Sequence, residues 1–88
     1  MTSGWVLSRD RYNRFVRLCR KVEPDDLTST VYIVAASSVN GEWVKPYSNE
    51  GPFYMYIRPQ HVLKEISPEK AIAILLHAQI DPEIFDET

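Results

Sequence analysis

Cysteine, glycine and histidine are scarce in this 88-residue chain, which has one Cys, three Gly and two His. A single thiol, Cys19, cannot form a disulfide within the chain, and a structural zinc site needs three or four clustered Cys and His ligands. The glycines Gly4, Gly41 and Gly51 stand too far apart for a glycine-rich phosphate loop. We therefore expect neither a metal nor a cofactor.

Long apolar runs are missing as well. The longest, Val31–Ala36 and Ala71–Leu76, have six residues each, whereas a membrane-spanning helix needs about 20. The first residues, Met1–Gly4, have neither the basic nor the apolar region of a secretory signal. Together with the lone cysteine, these features favour a cytoplasmic protein that makes no membrane contact.

The composition is that of an ordered domain: 44% of the residues are hydrophobic, 25% are charged, 11% are aromatic, and the net charge is -2. We expect one small α+β domain over 1–88, with 1–7 and 82–88 as candidate flexible ends. A chain this short buries only about 60–65% of its unfolded surface. A second subunit or a partner would therefore be a natural supplement to its core.

Residues 8–22 are predicted to form an N-terminal amphipathic helix. Ser8 suits the N-cap, and Pro24 would stop the helix because proline disfavours a helical residue before it. The apolar residues of the segment recur at helical spacing on one arc of a helical wheel: Tyr12, Phe15, Val16, Cys19 and Val22.

The middle of the chain predicts a three-stranded antiparallel meander. Thr28–Val39 is rich in β-branched and aromatic residues, and Asn40-Gly41 is typical of a two-residue hairpin loop. The second strand should end or bulge at Pro46, which cannot donate to a strand ladder. Phe53–Arg58 is predicted as the third strand.

A second helix is predicted near the C-terminus, over Lys70–Ile80. Ser67-Pro68-Glu69 supplies an N-cap, a proline at the first helical position and an acidic first turn. Because this helix is apolar almost all round, it is either buried on every side or forms a homodimer interface. The expected order is α-β-β-β-α, with both helices on one face of the sheet. Residues 60–65 and the C-terminal tail are further candidates for short helical turns.

The hairpin register predicts an aromatic face on the sheet. A two-residue loop sets Val39 opposite Glu42 and Ser38 opposite Trp43. One face would then carry Val31, Ile33, Ala35 and Val44, and the other would carry Tyr32, Val34, Ala36, Trp43, Lys45 and Tyr47, continued on the third strand by Tyr54, Tyr56 and Arg58. Tyrosine, tryptophan and arginine dominate interface hot spots, so this face is a candidate for docking a protein. The alternatives are a second core layer, a self-association face, and a platform for single-stranded nucleic acid.

Charge is distributed unevenly along the chain. Residues 1–22 carry six cations and one anion, a net of +5, while 23–88 carry four cations and eleven anions, a net of -7. On the predicted helix the cations form a basic ridge opposite the apolar arc: Arg9, Arg14, Arg17, Arg20 and Lys21. The ridge is a solvated helix face, a site for an acidic protein surface, or a site for a nucleic-acid backbone.

Catalytic combinations are few. Cys19 and His77 could in principle act as nucleophile and base, but a thiol on an apolar helix face is more often an inert core residue. His61 and His77 alone are too few for a metal site. We therefore predict a small non-enzymatic binding module that docks on a larger protein partner to regulate or inhibit it. The alternative is a nucleic-acid-binding protein that uses the basic ridge and the aromatic face.

Overall fold

The structure of the protein is a computed structural model, and it is described for residues 4–10, 15–22, 30–46 and 51–85. In these ranges the chain forms one antiparallel sheet of six strands and a single α-helix near the C-terminus. The strands are β1 (Trp5–Arg9), β2 (Val16–Lys21), β3 (Thr30–Val39), β4 (Glu42–Val44), β5 (Phe53–Ile57) and β6 (Val62–Glu65), and the helix is α1 (Pro68–His77). Two 3₁₀ turns lie at Pro59–His61 and Pro82–Phe85. No helix in the described ranges is long and apolar enough to cross a membrane.

The predicted N-terminal helix is wrong. The segment 8–22 contains the end of β1 and all of β2, which pair with each other antiparallel. β2 also pairs with β3, so it has a partner strand at each edge and is central in the sheet. Leu18 and Cys19, adjacent in sequence, are both fully buried, which is typical of a strand that is covered on both faces. That double burial made the apolar spacing of β2 resemble the period of a helix.

The predicted meander is also wrong, because β5 does not pair with β4. β3 is ten residues long. Its edge opposite β2 pairs with two different strands, one along each half of its length. Ser37–Val39 pairs with β4, while Thr30–Val34 pairs with β5. The predicted helical turn at 60–65 is a 3₁₀ turn followed by β6, which pairs with β1 at the far side of the sheet.

The connection from β5 to β6 forces the sheet to curl. β5 lies beside β3 and β6 lies beside β1, so β5, β3, β2, β1 and β6 follow one another across the sheet. In a flat sheet the outer two strands would be about 19 Å apart at about 4.8 Å per strand. The link Arg58–His61 spans five Cα–Cα steps from Ile57 to Val62, at most about 18 Å when fully extended. Its 3₁₀ turn rises only about 2 Å per residue, which makes the link considerably shorter than that. The five strands therefore bend toward closure.

Each face of the curled sheet has its own core. The strand core, inside the curl, consists of Val6, Cys19, Tyr32, Val34 and Ile57. The helix core, on the opposite face, consists of Trp5, Leu18, Ala35, Ala36, Ile66, Ala71, Leu75, Ala78, Ile80 and Phe85. In the helix core the Trp5 and Phe85 rings meet edge to face with centroids 5.6 Å apart. Helix α1 thus covers one face, and the sheet's own curvature covers the other.

The C-terminal helix is confirmed in its type and its start. Pro68 is the first helical residue, and the Ser67 hydroxyl accepts a hydrogen bond from the Lys70 backbone N–H at 3.2 Å. The helix ends at His77, and Gln79 then adopts a left-handed conformation with φ of 62°. Of the two predicted alternatives, burial on every side is not found, because Ile72 and Leu76 are exposed. A homodimer interface on this helix stays a prediction.

The Asn40-Gly41 hairpin is confirmed as well. Both residues have positive φ, 53° and 84°, as a type I′ loop requires. Val39 lies opposite Glu42 and Ser38 lies opposite Trp43, in the predicted register. β4 ends at Val44, ahead of Pro46, because proline has no N–H to continue the ladder.

A bulge on β3 separates the two halves of this strand. Leu18 pairs with Ala36 and Cys19 pairs with Val34, so Ala35 has no partner on β2. An extra residue in one strand reverses the alternation of all the side chains that follow it. Val34 therefore belongs to the strand core, whereas Ala36 belongs to the helix core. The predicted face that combined them does not form.

Candidate functional site

The predicted aromatic face is divided among three places. Tyr32 pairs with Met55 and is buried in the strand core. Trp43 lies beyond the bulge and packs against the helix core. Tyr54 and Tyr56 point away from Tyr32, because they alternate with Met55 along β5. The structure therefore does not bring Tyr32 and Trp43 together with the β5 tyrosines.

Tyr54 and Tyr56 are the most exposed large hydrophobic residues in the described part of the chain, with 70% and 69% of their surface accessible. The exposed Arg58 follows directly after β5. Lys45 is exposed as well, just beyond β4. Of the predicted site residues, Tyr47 and Arg14 lie outside the described part of the chain.

The predicted basic ridge does not exist as one surface. Residues three apart share a face on a helix but lie on opposite faces of a strand. Accordingly, Arg17 lies on the side of the strand core, and Arg20 lies on the side of the helix core with its guanidinium 5.7 Å from the centroid of a Trp5 ring. Lys21 is half-buried at the end of β2, two residues from Cys19.

Arg17 instead lies at the floor of a cleft of about 430 Å³. The cleft runs between β1, β2, β5 and the 3₁₀ turn, where the curled sheet approaches closure. Its lining residues are Ser8, Arg9, Arg17, Met55, Tyr56, Ile57, Arg58 and His61. Ser8, Arg17 and Ile57 are buried, whereas Arg9, Tyr56 and Arg58 are exposed. The cleft thus has a buried floor and a mouth open to solvent.

The surroundings of the Arg17 side chain are unusual for a buried cation. Only 7% of its surface is exposed. One Nη donates to the Met55 sulfur at 3.2 Å, and the guanidinium carbon lies 5.1 Å from the centroid of the Phe15 ring. The Nε is buried and has no hydrogen-bond acceptor in the described part of the chain. A soft sulfur and an aromatic ring are weak partners for a charge that is normally buried only with an anion.

Acidic groups are absent from the described lining of the cleft, which contains three arginines and one histidine. The nearest carboxylate in sequence, Asp10, is itself buried and accepts a hydrogen bond from the Phe15 backbone N–H at 3.0 Å. Asp10 also donates its own backbone N–H to the Phe15 carbonyl. This carboxylate thus ties together the two ends of the β1–β2 connection and does not line the cleft.

Cys19 is unsuited to nucleophilic chemistry. Burial raises its pKa to about 12 from an ordinary value of 9.0, against smaller opposing effects of the Arg17 charge and of a hydrogen bond with the Ser8 side chain. The thiol therefore stays protonated at neutral pH. His77, its imagined base, is exposed on α1. In the described residues no group of three or more His, Cys, Asp and Glu could hold a metal ion.

The sequence reasoning missed Ser8 and His61 as neighbours of Arg17. Ser8, Arg17 and Ser37 are direct cross-strand neighbours and form a buried polar row across β1, β2 and β3. One signal was present: Trp5–Arg9 and Val16–Lys21 also fit two short strands, in which a serine and an arginine interrupt one inward-facing side. His61 had no such signal, because the 3₁₀ turn brings it to the cleft.

No family model, no curated protein and no solved structure matches this chain.

Proposed function

We propose that the chain is a small non-enzymatic binding module that docks on a larger protein and regulates or inhibits it by covering part of its surface. The observation that carries the proposal is the pair Tyr54 and Tyr56, about 70% exposed on one strand. Exposed tyrosines offer large, rigid contact areas with a polar tip, and they are enriched in interface hot spots.

The surroundings of the two tyrosines support docking. Arg58 adds a second residue type that is enriched at hot spots, and it lies beside the mouth of the cationic cleft. A partner that covers Tyr56 and Arg58 would also cover the cleft. The burial and raised pKa of Cys19 support a role other than thiol catalysis.

The nucleic-acid alternative has less support than before. Its basic helix is absent, and Arg17 and Arg20 lie on opposite faces of β2. A nucleic-acid backbone is best bound by a continuous row of cations at its own spacing. Among the described residues, the cationic site that remains is the cleft, whose floor is buried.

The test is affinity capture from the native host with three tagged baits. These are the unchanged chain, Tyr54→Ser/Tyr56→Ser, and Leu76→Ser, which changes an equally exposed apolar residue on α1 (61% accessible). Thermal melts show that each bait is folded. We expect a protein to bind the unchanged bait and the Leu76→Ser bait, and to be lost from the tyrosine variant.

Two results would overturn the proposal. The first is a partner that binds the tyrosine variant as well as the unchanged chain. The second is captured material that is released by nuclease treatment, which would favour the nucleic-acid alternative.

A further inference from the structure

We propose that the cleft around Arg17 is a binding site for a phosphate monoester, whose phosphate group lies against the Arg17 guanidinium. This inference goes beyond docking, since it assigns a ligand to a site that does not include Tyr54. It rests on three properties of the described residues: an incompletely paired buried cation, a cleft that reaches it from solvent, and a lining without acidic groups.

The first step is the free-energy cost of burying the charged Arg17 side chain. Arg17 is only 7% exposed as a residue and its Nε is buried, so the side chain loses most of its hydration. Its described contacts, the Met55 sulfur and the Phe15 ring, replace little of that hydration. Its Nε–H has no acceptor in the described ranges. An oxyanion in the cleft would compensate the charge and would accept hydrogen bonds from the guanidinium where Arg17 lines the cleft.

The second step is the charge of the ligand. Arg9, Arg17 and Arg58 place three positive charges around the cleft, and His61 adds a further nitrogen donor or acceptor. A single carboxylate would neutralise one of these charges. A phosphate monoester carries about -1.5 to -2 near neutral pH and offers three acceptor oxygens. Arginine is also the side chain whose planar fork fits phosphate best.

The third step is the shape of the site. The cleft, at about 430 Å³, is larger than one phosphate group, so it also has room for part of the group that carries the ester. Ile57 and Met55 give the wall an apolar part, and the exposed Tyr56 stands at the mouth. A phosphorylated side chain of a protein and a small free phosphate ester share this chemistry. The experiment distinguishes them.

The test is calorimetric titration of the purified chain with inorganic phosphate, phenyl phosphate and a phosphotyrosine peptide. Sodium chloride of equal ionic strength is the blank. The matched variants are Arg17→Met and Arg20→Met, which remove one charge each from the same strand but from opposite faces. Amide NMR spectra locate the site, and thermal melts confirm that each variant is folded.

We expect phenyl phosphate to bind the unchanged chain and Arg20→Met alike, with the largest amide shifts at Ser8, Arg17, Ile57 and His61. Arg17→Met should lose affinity by about tenfold or more, since a hydrogen bond to a charged group contributes that much to binding. Arg58→Gln, a change of an exposed residue, should weaken binding less. If Arg17→Met does not fold, the affinities of Arg58→Gln and Arg20→Met for phenyl phosphate are compared instead. The proposal then requires that Arg58→Gln binds more weakly than Arg20→Met.

The proposal is overturned if phosphate esters bind no better than chloride, or if the Arg17 and Arg58 variants bind as tightly as the unchanged chain. A much tighter complex with the phosphotyrosine peptide than with phenyl phosphate would identify a protein as the source, and equal affinities would favour a small ester. The titrations contain no protein partner, so failure of phosphate esters to bind would leave the docking proposal intact.

Discussion

The two faces of the sheet are closed by different means. On one face, α1 and the turn Pro82–Phe85 lie over the strands, and every buried member of the helix core is apolar. On the other face no helix is described, and the sheet itself bends around the strand core. There the buried set continues from apolar Val6 and Cys19 to polar Ser8, Arg17 and Ser37.

This difference separates stability from binding. The helix core resembles any small apolar core, in which burial of carbon provides most of the folding free energy. The strand core has an opening that ends at a buried cation, and a partly paired buried charge lowers stability. Binding sites are often the places where a fold accepts such a cost. We therefore expect substitutions in the helix core to affect folding first, and those around the cleft to affect binding first.

The largest effect on folding is expected from Leu75→Ala. Leu75 is fully buried in the helix core, so its truncation removes apolar contacts and leaves a cavity, at a cost of about 2–5 kcal/mol in the free energy of unfolding. Urea unfolding would measure it. The control is Leu76→Ala. Leu76 is the exposed neighbour of Leu75 on the same helix, so its truncation should lower the free energy of unfolding by less than about 0.5 kcal/mol. Equal losses would mean that α1 does not cover the sheet with the face described.

The next effect concerns the strand core and depends on pH. Because burial raises the pKa of Cys19 from 9.0 to about 12, the folded state holds the thiol proton more tightly than the unfolded state does. The contribution of this group is present below pH 9 and is lost as the pH rises from about 9 to 12, at up to about 1.4 kcal/mol per pH unit.

The measurement is the urea midpoint across this pH range for the unchanged chain and for Cys19→Ala. The variant lacks the thiol, so its stability should fall less steeply with pH, although it starts lower because a buried group is truncated. Alkylation of the native thiol near neutral pH should also be slow. Parallel pH curves, or rapid alkylation of the folded protein, would contradict the burial of Cys19.

The smallest effect is expected where the helix begins. Ser67→Ala removes the hydroxyl that accepts from the Lys70 N–H, and the loss of such a cap costs about 1 kcal/mol. Ser67→Asp retains an acceptor and should restore most of the stability. If alanine and aspartate behave alike, the cap contributes nothing, and packing alone sets the position of α1 over the helix core.

Local chemistry was readable from the sequence wherever a few adjacent residues decide the conformation. Asn40-Gly41 tolerates positive φ at both positions, so its loop type and the register of the flanking residues were predicted and confirmed. Ser67-Pro68 carries its own start signal, because the cap and the proline act within one turn. Pro46 ended its strand for an equally local reason.

The candidate site was predicted only in part. Arg17, Tyr56 and Arg58 were among the predicted binding residues, and all three line the cleft. The reason given for Arg17 was wrong, since it assumed a helix whose cations lie side by side. Ser8 was interpreted as a helix cap, but it lies buried beside Arg17 as its cross-strand neighbour.

What the sequence by itself determined are the elements whose signals lie within a few residues: the type I′ hairpin, the end of β4 and the capped start of α1. Tertiary structure alone decided that 16–21 is a central strand, because a segment buried on both faces loses the alternation that identifies strands. It also decided the bulge at Ala35, which moved Trp43 to the helix core. The cleft arises from pairings of β5 with β3 and of β6 with β1. Such pairings join residues far apart in the chain, and their free energy depends on surfaces that exist only once the sheet has formed.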